Sequence, residues 1–153
     1  MNRFSVAILV AVLVLAVGCG ANAVVPEPPR PLALDEVRPE AVRVQTSEFA
    51  FDVPEAKLRE GMTDFVVYNA GRLAHEFVVV PVHEGRYGLP VGEIEPLAPG
   101  ISKALRLDLR SGHYELVCLL IGTLSGGGLV VHEGGHVEPH MALGMRTKLE
   151  VSD

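Results

Sequence analysis

The 153-residue chain has no Trp, and only 5% of its residues are aromatic. A core must therefore be built mainly from Val and Leu, which suits β-structure. Basic residues are in deficit as well: 13 Lys and Arg face 19 Asp and Glu, for a formal charge of −6. No Lys/Arg cluster offsets that balance, so a phosphate backbone would be repelled and nucleic-acid binding is excluded as a function class. Periodicity of 3.6 residues is nowhere sustained beyond about two turns, which argues against a helical domain. The length suits one domain of ordinary size and excludes a second full one. Cysteine is scarce too, with two in the whole chain, Cys19 and Cys118.

The longest apolar run, from Phe4 to Val17, is broken only by Ser5. It is too short to span a bilayer comfortably and, with Arg3 before it, reads as a signal peptide over residues 1–18. The run ends in Ala16-Val17-Gly18-Cys19, which resembles a bacterial lipobox and implies lipid attachment at Cys19. Cleavage after Ala21-Asn22-Ala23, releasing a soluble protein, is the competing expectation. Either route exports the protein, to the periplasm or the cell exterior. Residues 19–40 carry Pro26, Pro28, Pro29, Pro31 and Pro39. They are expected to form neither ladder nor helix and to act as an extended, membrane-proximal linker.

From about Ala41 to the end, residues 41–153, short strands follow one another. Val42, Val44 and Thr46 alternate, then Phe49, Phe51 and Val53 before Pro54. A β-rich run from Asp64 to Asn69 ends at Asn69-Ala70-Gly71, a turn signal. A second run starts at His75 and stops at Pro81. Residues 83–100 look like a loop with room for one short strand. Leu105, Leu107 and Leu109 share a face, as do Tyr114, Leu116 and Cys118, and Arg146 to Ser152 closes the chain. Seven or eight such strands predict an all-β, antiparallel β-sandwich.

If Cys19 is acylated or lost with the leader, Cys118 is a single thiol in an exported protein and has no disulfide partner. It is either a small buried hydrophobe or a metal ligand. His75, before it, and His140 and Met145, after it, decide for the metal. Two His, one Cys and a weak axial Met are the donors of a blue-copper electron-transfer centre. Each alone has a plain structural reading: His75 as a half-buried sheet histidine, His140 as a solvated loop residue, Met145 as core filler.

The chain resembles the cupredoxin family. The likeness is carried by Phe65-Val66-Val67-Tyr68-Asn69-Ala70-Gly71 followed by His75-Glu76-Phe77-Val78-Val79, and by Gly112-His113-Tyr114-Glu115-Leu116-Val117-Cys118. His140-Met141-Ala142-Leu143-Gly144-Met145, running into Thr147-Lys148-Leu149-Glu150-Val151, completes it. The resemblance spans roughly residues 44–151. It implies a Greek-key sandwich and one mononuclear copper held by His75, Cys118, His140 and Met145. It also implies a supporting role for Asn69, steadying the Cys-bearing loop, and electron exchange with redox partners at the membrane or in the periplasm. No general base, nucleophile or substrate pocket is evident, so no enzymatic activity is expected. One departure is large: an insert at about 119–139 separates Cys118 from His140. It leaves three outcomes open, namely an intact ligand loop at its far end, replacement of His140 by His132 or His136, or loss of the site.

The insert also contains His132-Glu133-Gly134-Gly135-His136, which fits the zinc-peptidase pattern His-Glu-x-x-His. That chemistry needs both His on one helical face. Two Gly in the would-be helix cost roughly 2 kcal/mol relative to Ala, and Pro139 follows closely. An exposed flap is the expected state, ahead of a second metal gathered by His132, His136 and His140. His83 and His113 are assigned to the surface. The other functional readings are copper storage, delivery or resistance through the His-rich loop, and a metal-free sandwich used for interaction.

Overall fold

The structure, a computed structural model, describes residues 29–121 and 139–153. Among the described residues are eleven strands and one 3-10 turn: β1 Arg30–Leu32, the turn Leu34–Glu36, β2 Val42–Ser47, β3 Ala50–Asp52, β4 Lys57–Arg59 and β5 Gly61–Asn69. Then come β6 His75–His83, β7 Arg86–Tyr87, β8 Gly92–Leu97, β9 Ser102–Leu109, β10 Gly112–Val117 and β11 Arg146–Ser152. They form two sheets. The first has the order β1-β9-β5-β2-β3, and the second β4-β11-β10-β6-β7 with β8 also paired to β6.

The sandwich read from the sequence is present, and the alternating positions build its interior. Val42, Val44, Phe65, Val67, Leu105, Leu107 and Leu109 come from the first sheet; Phe77, Val79, Leu116, Leu149 and Val151 come from the second. The few aromatics are concentrated here. Phe77 packs edge-on against Phe51 (ring centroids 6.2 Å) and tilted against Phe65 (5.3 Å), so one ring ties both sheets together.

Three details differ from the sequence reading. Most pairs are antiparallel, but β2 runs parallel to β5 and β4 parallel to β11. Alternation reports which face a residue takes and carries no information on strand direction. The region read as a loop over 83–100 holds two strands, β7 and β8, the second with Ile94 and Leu97 buried. The Pro-rich linker is not wholly free of ladder: β1 pairs with β9, with Pro31 opposite Leu105. Pro is tolerated because β1 is an edge strand, where one missing donor faces outward.

The segment after β1 is also fastened to the domain. The Arg38 backbone N–H and guanidinium donate to the carboxylate of Asp64 (3.0 and 3.2 Å), which Arg106 grips from the other side (2.6 and 2.7 Å). Asp64 lies on the non-core face of β5, yet it is 2% exposed because this segment covers it. The paired guanidiniums, Arg106 first, hold its carboxyl well below the usual carboxylate range. The leader, Cys19 and most of the linker lie outside the described residues. Among the described residues no helix is long and apolar enough to cross a membrane.

Candidate metal centre

The chemistry-bearing residues converge at one end of the sandwich, and strand geometry explains why. His75 opens β6 and occupies an inward position, two residues before the core residue Phe77. Cys118 follows β10 directly and continues the inward face of Tyr114 and Leu116. Strands β6 and β10 are hydrogen-bonded neighbours, with Val78 opposite Val117. The two side chains therefore meet at the same edge of the core.

His140 arrives through the loop before β11. The insert leaves and returns at one point: Ile121 bridges Pro139, and the His140 N–H donates to the Leu120 carbonyl at 2.8 Å. The Met141 N–H then donates to the Cys118 carbonyl at 2.9 Å. This closed stem cancels the sequence distance and sets His140 beside Cys118. A tight turn follows, with the Met145 N–H on the His140 carbonyl (3.0 Å) and the Cys118 N–H on the Met145 carbonyl (3.3 Å). Gly144, at φ +107°, supplies a conformation that a side chain would resist.

The donor atoms of His75, Cys118 and His140 all lie within 4.8 Å of one another. His75 Nδ1 and His140 Nδ1 are 3.3 Å apart, and Cys118 Sγ is 3.4 Å from His140 Nδ1. Two donors bonded to one first-row ion at about 2.0–2.3 Å and near-tetrahedral angles would be about 3.3–3.4 Å apart. The two measured separations are therefore of the size that one shared metal ion requires. All three residues, and Met145, are 0% exposed.

Burial sets their protonation. It holds His75 down to about 4, with help from His140, and lowers His140 in the same way. Both imidazoles are therefore neutral and able to coordinate at neutral pH. Burial pushes the Cys118 thiol up, so metal binding must release its proton. The Glu76 N–H, donated to Cys118 Sγ at 3.2 Å, acts in the opposite direction and favours the thiolate.

The surroundings fix each piece. Phe49 stands edge-on to the His140 ring (centroids 5.0 Å), and the two imidazoles meet edge-on at 5.2 Å. The Asn69 amide donates to the carbonyls of Leu73 and Leu97 (2.8 Å each), and its oxygen accepts the Gly71 N–H (2.9 Å). Asn69 thus supports the loop running into His75.

Glu48 was missed entirely. Its carboxylate accepts the N–H groups of Arg72 and Leu73, in that same loop. A glutamate at an exposed hairpin tip gives no signal of this in the sequence. His83 and His113 are exposed, as expected. His132, Glu133 and His136, with the peptidase-like motif, lie outside the described residues.

No family model matches the sequence, and no curated protein matches it. Solved structures do share the fold. Na-dithionite-reduced auracyanin from the photosynthetic bacterium Roseiflexus castenholzii matches at 16% identity and a TM-score of 0.53, covering 74% of this chain and 97% of that one. Auracyanin B matches at 16% identity and a TM-score of 0.56, covering 82% of this chain and 99% of that one. Both are cupredoxins, and this chain has the cupredoxin-like β-sandwich fold. At this identity the likeness is one of fold, and function rests on the site itself.

Proposed function

We propose that the protein binds one mononuclear copper ion through His75, Cys118 and His140, with Met145 as a weak axial ligand, and transfers electrons. The observation that carries this reading is the buried meeting of two imidazole Nδ1 atoms and one thiol sulfur at metal-bridging separations. Thiolate and thioether suit Cu(I), and imidazole suits both oxidation states.

Burial selects electron transfer over catalysis. A catalytic metal keeps a position open to water or substrate, whereas every proposed ligand here is fully covered. The protein's own part is to hold neutral imidazoles in place, to exclude water and to accept little geometric change between oxidation states. The second sheet sets His75 and Cys118 at neighbouring ends of the paired strands β6 and β10, and the closed stem at Ile121 and Pro139 sets His140 beside them.

The lipobox-like Ala16-Val17-Gly18-Cys19 supports export, with Cys19 acylated and the domain tethered to a membrane on the periplasmic or outer side. Redox proteins at that membrane are then the partners, and an acidic chain suits a basic docking face.

Titration of the purified protein with Cu(II), followed by visible absorption, tests the assignment. Intense thiolate-to-copper charge transfer should saturate at one equivalent and vanish in Cys118→Ser, and His140→Ala should lose it too. A wild-type protein that gains no such band overturns the proposal.

A further inference from the structure

Resting on the copper reading, we infer that Glu48 is a positioning residue of the metal centre. From the turn between β2 and β3 it clamps the loop that delivers His75, while the adjacent Phe49 braces His140.

The loop over residues 70–73 presents four consecutive backbone N–H groups, and all four are taken. Ala70 donates to the Thr46 carbonyl (2.9 Å), and Gly71 to the Asn69 side chain (2.9 Å). Arg72 and Leu73 both donate to one oxygen of Glu48, the second at 3.0 Å. Successive N–H groups of this kind form a concavity that favours an anion. His75 follows two residues later, so the direction in which its ring enters the site is set by where Glu48 holds Leu73.

Two backbone features accompany this contact. At Gly71 the carboxylate lies close over the backbone: a Cβ there would lie 2.7 Å from one Glu48 carboxylate oxygen and 3.0 Å from the other, so a side chain would push the Glu48 carboxylate aside. Phe49 sits at φ +60°, a conformation in which Gly or Asn would be expected and a bulky residue is strained. Such strain persists only where the surroundings over-determine it, and it gathers at functional sites. Here it turns the Phe49 ring onto His140. One two-residue turn therefore touches both histidine-bearing loops and sets the spacing of their imidazoles before any metal arrives. The Arg72 N–H, above all, keeps the Glu48 carboxyl below its usual range, so it is anionic at neutral pH.

The test compares wild type, Glu48→Gln and Glu48→Ala in two measurements. Amide hydrogen exchange on the metal-free protein comes first. In Glu48→Ala the Arg72 and Leu73 amides should exchange about tenfold faster, because bonds to a charged acceptor are lost. The Leu107 amide in the core should be unchanged. Glu48→Gln keeps an acceptor and should stay within about threefold of wild type. In the second measurement, on the copper-loaded protein, Glu48→Ala should surrender copper to a chelator about tenfold faster, on the same energetic grounds. Glu48→Gln should hold its copper but show a raised reduction potential, since an anion beside the rings favours Cu(II).

Unchanged exchange at Arg72 and Leu73 in Glu48→Ala overturns the clamp. Equal acceleration at Leu107 overturns it as well, because Glu48 would then serve general stability alone. Copper release at the wild-type rate with a loosened loop overturns the positioning role. Absence of the thiolate band in wild type overturns the copper reading separately, and the exchange data still decide whether the loop is clamped.

Discussion

At Asp64 a buried carboxylate is met from both sides by guanidinium groups and a backbone N–H, and its acceptor capacity is met inside the protein. At His75, Cys118 and His140 three equally buried polar side chains face one another instead. Two ring nitrogens approach to 3.3 Å, where one proton at most can lie between them, and Nε2 of each ring finds no partner among the described residues. Burial alone therefore does not mark a functional cluster, since both are buried. What separates them is closure: the Asp64 cluster is finished by the described residues, whereas the proposed copper would finish the His–Cys–His cluster. Fully satisfied networks specify structure, whereas partly satisfied ones carry a cost that needs a reason.

The largest break in the comparison comes from Asp64→Ala. It removes the carboxylate that Arg38 and Arg106 share, leaving Arg38 only the more exposed Glu40 carboxylate at 3.7 Å, and removing one partner of a buried pair costs about 3 kcal/mol or more. Urea denaturation should show that loss, while the copper absorption of the folded fraction should stay at the wild-type level. Cys118→Ser should do the reverse, removing the absorption and moving metal-free stability by no more than about 1 kcal/mol. An Asp64→Ala protein that stays folded and loses the band would merge the two clusters into one.

A smaller difference should separate them in acid, in the metal-free protein. His75 takes up a proton near 6.5 when unfolded and at about 4 when folded. Between those values the unfolded chain binds more protons, so stability must fall as pH falls through that window. Asp64 is lowered from 3.8, so the stability it contributes is present above that value and is lost only as pH drops further. Two stages should appear in midpoint-against-pH data, an upper one shrunk by His75→Gln and a lower one removed by Asp64→Asn. A single decline starting below pH 4 would show that burial does not hold the imidazoles neutral.

The two clusters also differ in how far the sequence disclosed them. His75, Cys118 and His140 are chemically rare residues, and residue type plus order was enough to single them out as candidates that the fold brings together, with Met145 proposed beside them. Their convergence was not legible across the insert, because the Ile121–Pro139 bridge that closes the stem is a long-range pairing with no local pattern. The sandwich was legible from alternation at Val42–Ser47, Leu105–Leu109 and Arg146–Ser152. Strand direction was not, so the parallel pairing of β2 with β5 went unread. Asp64 gave one faint signal, a charge within an apolar β-run, but its partners lie 26 and 42 residues away and nothing local selects them. Glu48 and Phe49 gave none, because their roles depend on which loop folds over the hairpin tip.

The smallest expected effect sharpens the comparison most, because it separates an unpartnered atom from a waiting ligand. Thr46 occupies the third core-facing position of β2, is 0% exposed, and its hydroxyl has no partner among the described residues. By closure alone it resembles the two histidines. It differs in geometry: a lone hydroxyl converges with no second donor, so it offers nothing to a metal. Its backbone carbonyl, by contrast, is committed to the Ala70 N–H. Thr46→Val keeps the side-chain shape and removes only the unsatisfied group. Stability should hold or rise by about 0.5–1 kcal/mol in denaturant titration, since deleting an orphaned hydroxyl removes its desolvation penalty. Copper absorption should be untouched, because the substitution spares the backbone carbonyl and leaves the loop over 70–73 tied as before. A clear loss of stability would mean that the hydroxyl has a hydrogen-bonding partner after all, and orphaned atoms would then lose their value as a sign of unfinished chemistry. A neutral or stabilising result would leave convergence as the mark of the site: the imidazole Nδ1 atoms meet each other and Cys118 Sγ, whereas the Thr46 hydroxyl meets no second donor.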